Sequence, residues 1–160
     1  MRGGSLPPAL LCAALGFALA YAPRRIIPFA LMIMALAALA GNMLAVPPVW
    51  HDGAFLGLWL SIVATALCVH LSGGVGHRLA IGLSLNGGLW VGVVIAAAGT
   101  RLDLLKSLPL AMLCVPGGWL VATRRGIAIK VVTSWLVAIS ILAAALPLTP
   151  TPGYKTDHMD

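Results

Sequence analysis

LAIGLSLNGGLWVGVVIAAAG, residues 79–99, contains no charged side chain, and its only polar side chains are Ser84 and Asn86. An α-helix rises roughly 1.5 Å per residue, so about 20 such residues cross a hydrocarbon core about 30 Å thick. The segment reads as a transmembrane helix. Its flanks agree, with Arg78 just before it and Arg101 just after it. Towards the N-terminus, residues 54–72 form a similar run that ends at Gly73-Gly74. Residues 26–46 form another, ended by Pro47-Pro48, with Pro28 in the first turn, where proline is tolerated. Residues 6–22 form a third, ended by Pro23 and Arg24-Arg25. Towards the C-terminus, residues 104–122 are interrupted by Pro109, Pro116 and Gly117-Gly118, and residues 126–146 carry Lys130 one turn inside, where its stem can snorkel. The expected fold is an all-α, polytopic bundle of six transmembrane helices, with five as the alternative. Residues 147–160 form a Pro-rich polar tail that is either a docking peptide or a frayed end. Strands are not expected, because a membrane barrel would alternate in hydrophobicity over about ten residues. The connections are short, so consecutive helices are expected to form antiparallel hairpins.

Composition supports this reading. Of 160 residues, 61 % are hydrophobic and 9 % charged, against roughly 45–50 % and 25 % in soluble domains. Mean hydropathy is +1.03. A soluble globule could not cover its surface with so few charges. A soluble enzyme, a disordered chain and a nucleic-acid-binding module are excluded on this ground. The net charge of +6 is distributed between the apolar runs, which is the pattern of membrane topology.

Lys and Arg counts set the expected orientation. With the N-terminus outside, the inner loops hold Arg24, Arg25, Arg78, Arg124, Arg125 and Lys130, while the outer segments hold Arg2, Arg101, Lys106 and Lys155. This favours both termini outside, with a bacterial inner membrane as the expected location. Arg2, the first apolar run and Ala18-Leu19-Ala20 also look like a secretory signal peptide. Arg24-Arg25 outweigh Arg2, however, and favour a retained span.

Helices associate in lipid through small residues that let backbones approach. Such stripes are Ala54, Gly57, Ser61, Thr65, Cys68 and Ser72 in the third span, Ser84, Gly88, Gly92 and Ala96 in the fourth, and Ala37, Gly41 and Ala45 in the second. We read Gly41, Gly57, Ser61, Thr65, Gly88 and Gly92 as packing positions, with a pore lining as the alternative.

Chemistry-bearing residues are few. Asn42 and Asn86 are the clearest polar side chains at membrane depth, as helix-joining groups or as ligands for a substrate or ion. Pro116, Gly117 and Gly118 would expose backbone groups if they broke the fifth span, as in transporters. His51 and Asp52 are a candidate interfacial acid/base pair. His70 falls about 180° from the small-residue stripe and shares a face with Trp59, as a lipid-interface anchor would. The chain has no glutamate and no Gly-x-Ser-x-Gly or HExxH motif. Cys12, Cys68 and Cys114 lie in apolar runs without ligand spacing, so neither a metal site nor a disulfide framework is expected, and no cofactor. The expected partners are the bilayer and either another protein or further copies of the chain, and no nucleic acid. The leading expectation for function is a non-catalytic subunit or assembly partner of a larger membrane complex. A small oligomeric transporter or channel is second and a lipid-acting membrane enzyme third.

Overall fold

The computed structural model describes residues 6–145, the Arg101 side chain excepted, and these residues are helical with no strand among them. The elements are α1 (Leu6–Leu19), α2 (Ile27–Asn42), α3 (His51–Cys68), α4 (His77–Ala98), α5 (Arg101–Ser107), α6 (Cys114–Ala122) and α7 (Ile127–Ala145). A 3-10 turn at Pro48–Trp50 leads into α3, and a longer 3-10 segment, Leu108–Leu113, joins α5 to α6. The 147–160 tail lies outside the described residues.

Four helical runs are long and apolar enough to cross a membrane: Pro48–Cys68, His77–Ala98, Leu102–Ala122 and Ile127–Ala145. The chain has the make-up of an integral membrane bundle. Helices α1 and α2, with 14 and 16 residues, are shorter than the expected first two spans. At roughly 1.5 Å per residue they measure about 21 and 24 Å. For α2 the cause is local. Val46 precedes a proline and is driven to extended geometry, and the helix ends at Asn42 so that the chain can turn out before Pro47-Pro48. Helix α3 starts earlier than expected, at His51. Pro48 sits at the first position of the entering turn and Asp52 in the first helical turn, both favourable at a helix N-terminus.

Helix α1 occupies the centre. Leu11, Cys12, Ala14, Leu15, Ala18 and Leu19 are fully buried, and α1 packs against α3, α4, the 3-10 segment, α6, α5 and α7. A short helix ringed by neighbours meets little lipid, so its mismatch with the hydrocarbon thickness costs little.

Helices α3 and α4 form the expected antiparallel hairpin, with Gly57 against Trp90 and Ser61 against Asn86, but α2 does not pair with its neighbours. Helix α2 packs chiefly on α4 and not on its sequence neighbours α1 and α3. Met34 and Ala37 lie against Gly88, and Ala38 and Asn42 lie against Gly92. Numbering rises on both sides, so the two helices are parallel. Short loops force consecutive spans to be antiparallel, but alternate spans then run the same way, and the best-matched small-residue surfaces belong to an alternate pair.

Candidate functional site

The tightest part of the molecule is the α2–α4 seam. A Cβ on Gly92 would collide with the Ala38 carbonyl oxygen and would stand 2.7 Å from the Asn42 nitrogen. A Cβ on Gly88 would collide with the Met34 carbonyl oxygen, and one on Gly41 would stand 2.6 Å from the Leu89 carbonyl oxygen. All three glycines are buried. Contacts this close come from backbone meeting backbone, and only hydrogen fits in place of a side chain. Gly57, on α3, is covered by the Trp90 ring of α4.

A polar rung joins α4 to α3. Asn86 Nδ2 donates to Ser61 Oγ at 3.0 Å. Thr65, one turn on from Ser61, is fully buried, and its hydroxyl has no partner among the described residues. The Ser84 and Ser140 hydroxyls share that condition. Counting from the Asn86–Ser61 contact, Ser84 stands level with Val63 of antiparallel α3. Counting from the contact between His70 and Thr133, Ser140 stands near the same level. The three orphan hydroxyls therefore lie close in depth to the Asn86–Ser61 bond.

Asn42 stands at a helix end and not in mid-helix. It is the half-buried last residue of α2, at the end of the seam. Asn42 and Asn86 are not brought together: Asn86 reaches α3, whereas Asn42 backs onto Gly92.

The break in the fifth span is displaced from its expected place. Pro116, Gly117 and Gly118 are helical, lying early in α6, where proline loses little. The irregular backbone is Leu108–Leu113, with Pro109 in its first turn. This segment crosses α1 at Gly16, where a Cβ would stand 2.8 Å from the Ala111 carbonyl oxygen. Gly117 faces Ala20, 2.9 Å from a would-be Cβ, while Gly118 faces open space. Sequence reasoning misses Gly16, although Cys12, Gly16 and Ala20 repeat the small-xxx-small spacing that marks the other spans.

His51 is half-buried in the first turn of α3, and Asp52 beside it is exposed. Consecutive helical residues diverge by about 100°, so they do not share a face. Their neighbours Trp50 and Gly53 line an open apolar cleft of about 450 Å³, with Leu44, Val46, Pro47, Trp90 and Val93. His70 is exposed and lies just past the end of α3. Helix α3 ends at Cys68, so the helical wheel does not extend to residue 70. The His70 ring turns to α7, with Nε2 3.4 Å from both Thr133 Oγ1 and Ser134 Oγ. Those hydroxyls also donate to the Ile129 and Lys130 carbonyls, at 2.9 and 2.8 Å. No group of three or more His, Cys, Asp or Glu that could hold a metal ion occurs among the described residues.

Tyr21 is the other residue that sequence reasoning misses. Its hydroxyl donates to the Gly126 carbonyl at 3.0 Å, and its own carbonyl accepts from the Val75 N–H at 3.4 Å. One residue after α1 thus ties together the α1–α2, α3–α4 and α6–α7 connections. The available signal is a lone tyrosine ending an apolar run before Pro23-Arg24-Arg25. Compared with family models, with curated proteins and with solved structures, the chain gives no match.

Proposed function

We propose that this chain is a non-catalytic, multi-pass subunit that assembles with other transmembrane segments in a larger membrane complex. The observation that carries the reading is the employment of its polar and small residues. Asn86 is bonded to Ser61, and Gly41, Gly88 and Gly92 are used in helix contact. The cleft beside Trp50 and a second one at Trp135 and Leu142 are open to the surface and lined by apolar side chains. Helix α7 supports the reading further. It buries Ile129, Thr133, Leu136 and Ser140 but exposes Ile127, Val131, Trp135, Ile141 and Leu142. The test is purification in gentle detergent followed by native mass spectrometry. Foreign subunits in fixed stoichiometry are expected, and a stable assembly of this chain alone would overturn the reading.

A transporter is the second reading, favoured by the buried, unpartnered hydroxyls of Thr65, Ser84 and Ser140 near the depth of Asn86. Buried hydroxyls without partners commonly mark bound water or a ligand. On this reading, Asn86→Leu abolishes flux in proteoliposomes while the protein stays folded. Loss of folding with the substitution would instead assign Asn86 to helix joining.

A further inference from the structure

The two ends of the bundle are electrically unlike. One end carries the connections α1–α2, α3–α4 and α6–α7, and with them Arg24, Arg25, Arg78, Arg124, Arg125 and Lys130, all exposed. Both acids among the described residues, Asp52 and Asp103, begin α3 and α5 at the other end, where Asp103 is 3.9 Å from Lys106. Six cations at the first end therefore have no described carboxylate beside them. Tyr21 pins the three connections to one another through the bonds to Gly126 and Val75, and Gly74, at φ +70, turns tightly over the Tyr21 carbonyl. The cations thus stand on one braced platform and not on three independent loops. Arg124 adds a second observation. It sits at φ 60, a left-handed position that glycine fills at no steric cost. Here an arginine holds it, closing α6 with the Arg125 N–H bonded to the Leu120 carbonyl at 2.9 Å. The N-termini of α2, α4 and α7 open at the same end, adding partial positive charge.

We infer that this Tyr21-braced platform is a binding surface for anionic phospholipid headgroups. The chemistry fits one class of partner. Guanidinium groups take phosphodiester oxygens in paired hydrogen bonds, and a ring of them around one bundle end lies at headgroup level. Each basic side chain at an anionic bilayer surface adds attraction that is screened within a Debye length. A zwitterionic headgroup carries its own ammonium and gains little from such a platform.

The experiment uses the full chain, folded in neutral detergent, with phosphatidylglycerol and phosphatidylcholine added in equal amounts and retained lipid read by native mass spectrometry. Retention of phosphatidylglycerol at least about tenfold above phosphatidylcholine is expected at low salt. That preference should collapse in 0.5 M salt, roughly where the Debye length falls below 5 Å. The wild-type salt series stands by itself if charge removal disturbs insertion. Arg24→Gln/Arg25→Gln/Arg124→Gln/Arg125→Gln should lose the preference, and Lys106→Gln at the opposite end should keep it. Excess glycerol phosphate should compete weakly if the lipid is held as a bilayer component, and a complete displacement would assign the site to a free phosphate and overturn the proposal. Equal retention of both lipids, a salt-insensitive preference or an equal loss in Lys106→Gln would overturn it as well. So would an acidic protein partner occupying the face with no lipid selectivity left.

Discussion

Helix α4 meets α2, and α3 meets α7, by opposite means. The α2–α4 contact is parallel and rests on Gly41, Gly88 and Gly92, whose missing side chains admit the neighbouring backbone. Helices α3 and α7 run antiparallel, and near one end His70, just past α3, reaches the Thr133 and Ser134 hydroxyls with its side chain. In lipid there is no hydrophobic drive between helices, so attraction comes from close packing and from polar contacts. The first contact uses packing and has no slack. The second has side-chain contacts at the limit of hydrogen bonding, which can lengthen without a clash. One should therefore fail abruptly on substitution and the other gradually.

The sharpest way to break that contrast is Gly92→Val. Its Cβ would meet the Ala38 carbonyl and the Asn42 nitrogen, both backbone, so neither can move aside cheaply. A loss of about 3 kcal/mol or more is expected, read as unfolding in mixed detergent–SDS micelles. If the protein tolerates valine there, the seam is looser than described. Next in size is Asn86→Leu, which removes the bond to Ser61. A loss of about 1 kcal/mol is expected. A double-mutant cycle with Ser61→Ala should show coupling of similar size, and additive losses would remove the bond from the account.

Gly118→Ala should act in the opposite direction. Nothing stands near its would-be Cβ, and a helical Gly→Ala exchange stabilises by roughly 0.5–1 kcal/mol. Gly117→Ala, pressed against Ala20, should destabilise instead, and equal effects at the two positions would contradict the packing of α6 on α1. The smallest effect is expected for His70→Ala. Its 3.4 Å contacts are at the limit of hydrogen bonding, and a few tenths of a kcal/mol is the expected loss. A loss as large as that of Gly92→Val would erase the contrast between the two contacts.

Two similar pieces of sequence show where local reading reaches its limit. Val46-Pro47-Pro48-Val49-Trp50 and Val115-Pro116-Gly117-Gly118-Trp119 share a Val-Pro-x-x-Trp pattern. The first is exposed and bends the chain between α2 and α3, while the second is helical, with Gly117 buried. Proline in an early helical turn leaves the helix intact, so the pattern does not specify a break. The two segments also differ in the residues after the first proline, Pro48-Val49 against Gly117-Gly118, and in their neighbours. Ala20 stands opposite Gly117, and the first segment borders an open cleft.

The sequence by itself determined the helices, their membrane character and their alternating direction. Long uncharged apolar runs have few other stable forms in lipid, and short loops leave no choice of sense. It also marked Gly41, Gly88, Gly92, Ser61 and Asn86 as contact residues, because small-xxx-small spacing and an intramembrane amide have few uses. Only the tertiary structure decided which contact belongs to which helix. A stripe of small residues states that a backbone will come close, not whose backbone it is. The parallel α2–α4 pair, the crossing of Leu108–Leu113 over Gly16, the turn of His70 towards α7 and the bracing of three connections by Tyr21 all join residues far apart in the chain. They depend on how the helices share their surfaces, and no local periodicity encodes that partition.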